Sequence, residues 1–474
     1  MNKDELMKLE KNEIIELLLA IIQQQAEEIK ELKARLNQNN KNSSKPPSSD
    51  GLKKPPVSLR KPSGKKAGGQ MGHDGSGLKV TGEPNSHISH EPDECAVCAR
   101  AAECDASRIV RETRYEIDIN IETSTTAHQI MTVKCPRSEE LLTGRFPGNV
   151  TGTVQYGTNI EALAVSLNTI GMVSINRTHE ILSDVFGVPI STGTITAMAS
   201  DCAGKVAETA NEIKEAIMEE PVMHSDETGL RVGGKTAWAH TASTENLTYI
   251  EVHESRGKRG MDAIGILLMF LGTLIHDCYA TYFSYDTIRH GLCNAHLLRE
   301  LIAAKEDAGQ GWAQDLIDLL LMMKGTKEKL ISSGQLKPSK YYTDKFSRAY
   351  DRILAAALAQ NPLPEHDGTK KGKPKRGKTR ALIDRLHRHK DKFLLFFHDF
   401  NVPFDNNQAE RDIRMIKVKQ KVSGCFRTME GANEFTAIMS YIGTARKHGL
   451  SSFMAIKDAL MGNPFSVKSL VTMS

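Results

Sequence analysis

Apolar positions recur along this chain in three rhythms, and each change of rhythm marks a part of the molecule. Between residues 5 and 38, Ile15, Leu18, Ile22, Gln25, Ile29, Leu32 and Leu36 alternate spacings of three and four. That is a heptad seam on an amphipathic helix, with Gln25 as a polar position that costs stability and fixes register. Large apolar residues then almost vanish around Lys45-Pro-Pro-Ser-Ser-Asp-Gly51, so this stretch is expected to be a flexible basic linker with nothing to bury. Period two appears at Tyr115-Glu-Ile-Asp-Ile-Asn-Ile121, which reads as a strand.

From Asn159 to Val206 the period is helical: Ile175 to Phe186 forms one helix, Gly187-Val-Pro-Ile190 a turn, and Ser191-Thr-Gly-Thr194 opens a second helix with a Ser or Thr cap. A short Gly-containing turn between two such helices is a helix-turn-helix arrangement, whose second helix, with Thr192 and Thr194 at its start, can enter a major groove. Residues 217–300 then read as strands at Val222–His224, Thr236–Ala242 and Leu247–Val252, a helix near Met261–Leu271, and a strand at Thr273–His276. Three strands, a helix and a further strand is the order of a ribonuclease H-like α/β core. Leu292 to Leu358 is helical, interrupted by Gly325 and by Ser332–Ser339; Asn361 to Lys378 is a loop, and helix resumes at Thr379.

Composition changes this picture at a few points. A chain of 474 residues exceeds what one core serves, so several domains are expected. The net charge of +4 hides two basic blocks: nine Lys or Arg against two acids in 41–79, and eleven against two in 370–392. Such blocks suit a polyanion, because phosphate contacts release counterions. Eight scattered cysteines with no secretory signal point to reduced thiols and a cytoplasmic protein. The longest apolar run, Ala263 to Ile275, is too short to span a bilayer and reads as a buried helix running into a strand.

The candidate chemistry lies in acids. Asp226 ends Pro221-Val-Met-His-Ser-Asp226, and Asp277 ends Gly272-Thr-Leu-Ile-His-Asp277, both strand-like. Glu410 lies in Asp405-Asn-Asn-Gln-Ala-Glu-Arg-Asp-Ile-Arg414, where Asp405 and Gln408 look like a variant capping box that puts Glu410 one turn into a helix. Two aspartates and a glutamate could converge on two Mg²⁺ ions, with Mn²⁺ as a substitute, since such ions take carboxylate oxygens and keep positions open for phosphate. Glu227, next to Asp226 on a strand, would point to the opposite face. Beyond Glu410, Arg411, Arg414, Lys417 and Lys421 form one basic stripe suited to DNA phosphates. Cys293 and His296, followed by Arg299, are half a metal site by spacing; a structural or DNA-positioning role near the active centre is expected. Cys95-Ala-Val-Cys98 and Cys135-Pro-Arg-Ser138 resemble the two knuckles of a zinc ribbon. Zn²⁺ would need a fourth ligand there, from Cys104, His87, His90 or His128.

Taken together, these landmarks resemble the transposases of the insertion-sequence-66 family. The resemblance rests on the seam helix running into Leu36-Asn-Gln-Asn-Asn-Lys-Asn-Ser-Ser-Lys-Pro-Pro-Ser-Ser-Asp50, on Val154-Gln-Tyr-Gly157, and on Glu180-Ile-Leu-Ser-Asp-Val-Phe-Gly187. Ser225-Asp-Glu-Thr228, Cys293-Asn-Ala-His-Leu-Leu-Arg299 and Asp405-Asn-Asn-Gln-Ala-Glu-Arg411 complete it. It implies a DDE-type DNA transposase of bacterial or archaeal origin that binds its element ends and target DNA, and cuts and transfers strands through Asp226, Asp277 and Glu410. It departs from the family at Ser138, where cysteine is usual. The expected organisation is a coiled-coil helix (1–40), a basic linker (41–84), a zinc-finger-like module (85–150) and a helix-turn-helix domain (151–215). The first part of the core (216–300), a helical insertion (301–400) and the glutamate helix with a helical tail (401–474) follow. Homo-oligomerisation through the first helix and small accessory proteins of the same element are the expected partners, with no membrane. The competing reading is a DNA-binding regulator derived from a transposase that no longer cuts.

Overall fold

The computed structural model describes residues 11–36, 82–90, 92–98, 104–105, 107, 109–119, 121–363 and 377–471. The chain divides into a larger unit, 1–57 with 127–474, and a smaller one, 58–126. In the larger unit the first element is helix α1 (Lys11–Leu36), which carries the heptad seam. Ile15, Leu18, Ile22, Ile29 and Leu32 are all exposed on it. Most of the basic linker and the basic run 364–376 lie outside the described residues.

The smaller unit holds a four-residue helix, α2 (Asp93–Ala96), around Cys95. The alternating segment at Tyr115–Ile121 is not a strand: its described residues form no regular element, and Tyr115, Ile117, Ile119 and Ile121 stay exposed. A pattern of period two makes a strand only where a partner and a core are on offer, and none covers these side chains. The paired strands come later, in the larger unit, as the hairpin β1 (Thr132–Lys134) and β2 (Leu141–Thr143).

Helices α3 (Thr158–Thr169), α4 (Ile175–Asp184) and α5 (Thr192–Glu219) follow. Ser174 caps α4 by accepting the Arg177 N–H, and Ser191 caps α5 by accepting the Thr194 N–H. The turn between them hinges on Gly187, whose φ of 65° is a left-handed conformation that residues with a Cβ adopt at a cost. The Val188 N–H then reaches back to the Leu182 carbonyl and closes α4.

Next come β3 (Val222–Val232), β4 (Lys235–Ser243), β5 (Thr248–His253), the short helices α6 (Lys258–Ile264) and α7 (Ile266–Met269), β6 (Thr273–His276) and β7 (Arg289–Leu292). The five strands form one sheet in the order β5-β4-β3-β6-β7. The first three pair antiparallel, whereas β6 runs parallel to both β3 and β7. Strand β3 is longer than its apolar start suggests, so Asp226 sits inside it and not at its end. The expected helix near Met261–Leu271 breaks at Gly265 (φ 84°), and Leu268, Met269 and Leu271 are exposed. Strand β7 is an addition: Arg289-His-Gly-Leu292 lacks an apolar run, yet it pairs because Gly291 lets Ile275, Val402 and Leu395 approach closely.

Between the sheet and the Glu410 helix lie α8 (Asn294–Ala308), α9 (Gly311–Ser332), α10 (Lys340–Gln360), α11 (Lys378–Arg388) and α12 (Lys390–His398). Helix α9 runs through Gly325 without a break, because neighbouring turns supply its packing. These helices enclose their own apolar core, with Leu301, Leu316, Leu320, Tyr350, Ile383 and Phe397 fully buried. The chain closes with α13 (Asn407–Ser423), α14 (Met429–Lys447), α15 (Ser452–Leu460) and α16 (Val467–Val471). Helices α3, α5, α13, α14 and α15 share a second core with the antiparallel half of the sheet. Among the described residues no helix is long and apolar enough to cross a membrane.

Candidate active site

Parallel pairing places the two aspartates. His224 on β3 is opposite Ile275 on β6, so Asp226, two residues further within β3, and Asp277, just past the end of β6, come to matching positions. Central parallel strands are covered on both faces, which is why Thr273–His276 is buried throughout. Asp226 Oδ1 accepts the Glu227 N–H (2.9 Å), and Asp277 Oδ1 accepts the Tyr279 N–H (2.9 Å).

Glu410 lies in the first turn of α13. The capping box expected there does not form: Asp405 Oδ1 accepts the Asn407 N–H, but the Gln408 amide turns forward to Asp412 Oδ2 (3.2 Å). Gln408 is better used inside the helix, since Asp412 gathers further donors. Ser243, Thr248 and Lys447 all donate to the same Asp412 oxygen, at 2.8, 3.0 and 2.7 Å. That network ties α13 to β4, β5 and α14 and so fixes the helix that carries Glu410.

The acids feel one another. The Asp226 carboxyl is raised well above the ordinary aspartate range, first by burial and then by the charges of Glu227, Asp277 and Glu410. Glu227 has a different environment. Its side chain is 1% exposed, Arg256 donates to Oε1 from Nε (2.9 Å) and Nη2 (2.8 Å), and the Tyr282 hydroxyl donates to Oε2 (2.7 Å). Burial still raises the Glu227 carboxyl, with the Tyr282 and Arg256 bonds opposing. Arg256 itself lies over the rings of Tyr279 (4.3 Å) and Trp238 (5.0 Å).

Asn406 joins the pieces of the site. Its amide donates to the Ser225 carbonyl (2.8 Å), so its oxygen accepts, and His224 must offer Nδ1–H to it (2.9 Å). Its backbone N–H meets Cys293 Sγ at 3.2 Å. Cys293 and His296 stand at the start of α8 and reach Glu410: one ligand-type atom from each of the three lies within 4.8 Å of the others. His296 Nδ1 is 3.6 Å from Glu410 Oε1, too long for a hydrogen bond, and both atoms are buried without a hydrogen-bond partner among the described residues. A cavity of about 230 Å³ opens beside them, lined by Asp277, Cys293, His296, Arg256, Glu300 and Arg385. Arg299 is half-buried on the same helix, α8. Arg256 and Tyr282 carry no motif of their own, and Asn406, although inside the Asp405–Arg411 motif, gives no sign there of its contacts with Ser225 and His224 on β3.

Arg411, Arg414, Lys417 and Lys421 are all exposed on α13, with Lys417 Nζ donating to the Gly229 carbonyl. Thr192 is exposed at the start of α5, whereas the Thr194 hydroxyl pairs with that of Ser191 (2.9 Å). Cys95, Cys98 and Cys104 are exposed in the smaller unit, and Cys135 is half-buried in the larger one. A hydrogen bond with the Ser138 hydroxyl lowers the Cys135 thiol, so the residue that stands where cysteine is usual bonds the sulfur instead of supplying a second one.

The fold is that of a mixed α/β protein in which Asp226 and Asp277 come to matching positions on two parallel-paired strands. Residues 153–434, more than half of the chain, match the family described as Transposase IS66 family, and the chain belongs to it. Residues 2–79 match a family of unknown function, DUF6444. No curated protein matches the chain. Membership in the transposase family implies DNA transposition as the activity and DNA as a partner.

Proposed function

We propose that this transposase cleaves and joins DNA on a ribonuclease H-like core, with Asp226, Asp277 and Glu410 as the acids that hold two Mg²⁺ ions. The observation that carries the reading is the parallel register of β3 and β6, which brings Asp226 level with Asp277; the Asp226 carboxyl, raised by burial and then by the charges of Glu227, Asp277 and Glu410, agrees with it. Three carboxylates that repel one another in a partly buried place suit hard divalent cations, and their oxygens are the ligands such ions prefer. Bound there, the ions would offset the negative charge that develops on the attacking and leaving oxygens of a displacement at phosphorus.

The protein's own groups account for the rest. Asn406 and the Asp412 network hold α13 so that Glu410 faces the strands. Arg256, fixed by Glu227 and two aromatic rings, keeps a positive charge beside Asp277 in the cavity. The stripe of Arg411, Arg414, Lys417 and Lys421 continues from the acid along α13 and suits the phosphate backbone of an element end. The paired helices α4 and α5 fit a helix-turn-helix that reads that end. The exposed seam of α1 fits pairing with a second copy, which would bring two element ends together.

The test is strand transfer by purified full-length protein with Mg²⁺ and DNA carrying the inverted repeats that flank its gene. Asp226→Asn should abolish transfer and leave DNA binding intact. Full activity in that variant would remove the metal assignment; a wild-type protein that binds the ends but never cuts would favour the regulator reading.

A further inference from the structure

We propose that Cys293, His296 and Glu410 form a separate binding site for one divalent cation of the borderline class that zinc represents, sharing only Glu410 with the carboxylate cluster. The claim stands on its own geometry and does not need the Mg²⁺ reading to be right. Cys293 precedes α8 as its N-cap residue and His296 lies one turn on, so their side chains are neighbours at that helix end. Glu410, in the first turn of α13, comes in from the other side. The three potential ligand atoms lie within 4.8 Å of one another. An ion bound tetrahedrally with bonds of about 2.0–2.3 Å holds its ligand atoms roughly 3.3–3.8 Å apart. The His296 Nδ1 to Glu410 Oε1 distance of 3.6 Å falls in that span.

A second observation points to a missing ligand. Nδ1 of His296 and Oε1 of Glu410 are both buried without a hydrogen-bond partner among the described residues, and they face each other at a distance no hydrogen bond explains. Buried polar atoms are nearly always satisfied, so a pair left open together marks a place for a group that bonds both. Cys293 is already oriented, because the Asn406 N–H holds its sulfur (3.2 Å), as an outer partner does for a metal ligand. The cavity lined by Asp277, Cys293 and His296 leaves room for a fourth ligand and a route in. Three protein ligands with one open position is the form of a site that also takes water or substrate.

The donor set decides the kind of ion. Sulfur and imidazole favour zinc-like ions over Mg²⁺, which keeps to oxygen. In the absence of an ion a thiol is protonated at neutral pH. Binding therefore replaces the S–H bond with an S–metal bond and releases one proton to the buffer. Because Glu410 is shared, an ion held by Cys293 and His296 draws that carboxylate away from Asp226 and Asp277. Zinc-class ions should then suppress the Mg²⁺-dependent reaction.

Cobalt(II) titration of the full-length protein tests this, since a cysteine-bound Co²⁺ shows a thiolate-to-cobalt charge-transfer band. The background protein carries Cys95→Ser, Cys98→Ser, Cys104→Ser, Cys135→Ser, Cys278→Ser and Cys425→Ser, which removes every other thiol that is not fully buried, including Cys278 in the same cavity. One Co²⁺ per chain with that band is expected, resistant to excess Mg²⁺. Cys293→Ser should abolish the band, His296→Ala should weaken binding by at least about tenfold, and Asp226→Asn should leave both unchanged. Circular dichroism melts show whether each variant is folded, and His296→Gln provides a second, gentler variant. Absence of the band in the background protein would overturn the proposal. So would a band that survives Cys293→Ser, or one lost in Asp226→Asn but kept in His296→Ala.

Discussion

Two acids on one helix, Glu410 and Asp412, meet opposite fates. Asp412 has four side chains donating to a single oxygen, Lys447 among them, and both Asp412 and Lys447 are mostly buried, at 16% and 12% side-chain exposure. Glu410 has one oxygen buried without a hydrogen-bond partner among the described residues. The difference separates two kinds of acid: one whose lone pairs are filled holds elements together, whereas one left open beside other carboxylates suits the cation proposed above. Asp226 belongs to the second kind, because its neighbours raise its carboxyl rather than neutralise it.

The comparison breaks first at activity. Asp226→Asn should lower strand transfer by about 10²–10³ or more, the cost of losing a preorganised electrostatic group, without unfolding the protein. Gel assays of product together with circular dichroism separate the two effects. Asp412→Ala should do the reverse. Removing it leaves the buried Lys447 ammonium without its counter-charge, held only by the Thr244 and Leu247 carbonyls, for a loss of about 3–5 kcal/mol in urea unfolding, and activity at low temperature should fall far less than with Asp226→Asn.

Acid sharpens the contrast on the strand next to Glu227. Burial holds the His240 imidazole down at about 4, against an ordinary 6.5. The unfolded chain thus binds this proton more readily than the folded one, so stability attributable to His240 falls as pH drops from 6.5 toward 4 and levels off below. In urea unfolding the wild type should lose up to about 3 kcal/mol more than His240→Gln across that window, with no pH-dependent difference above pH 7. The smallest effect lies on the exposed stripe. Arg414→Ala should weaken DNA binding alike for every sequence and reduce the salt slope by roughly one, measured by fluorescence anisotropy at several salt concentrations.

Several of these features can be read from the chain and others cannot. The three acids stand out because each sits at a change of pattern, and the sheet's β3, β4, β5 and β6 follow from apolar segments bounded by turns. Strand β7 escapes notice because Arg289 and His290 interrupt it and only the close approach at Gly291 gives it a place. The Tyr115–Ile121 alternation misleads because period two describes a surface that could be buried, not a core that exists. Gln408 misleads in a similar way: its spacing from Asp405 fits a cap, but Asp412, only four residues on, competes for its amide. Asn406 and Arg256 depend on contacts from residues far along the chain, and local pattern carries no trace of those.

The central claim is that Asp226, Asp277 and Glu410 form one repelling cluster that a divalent cation relieves. Thermal melting of wild type and Asp226→Asn, each with and without Mg²⁺, tests it most directly. The wild type should melt higher with Mg²⁺, and the variant should melt above the metal-free wild type while gaining little from Mg²⁺. Equal gains in the two proteins, with no rise in the metal-free variant, would contradict the account.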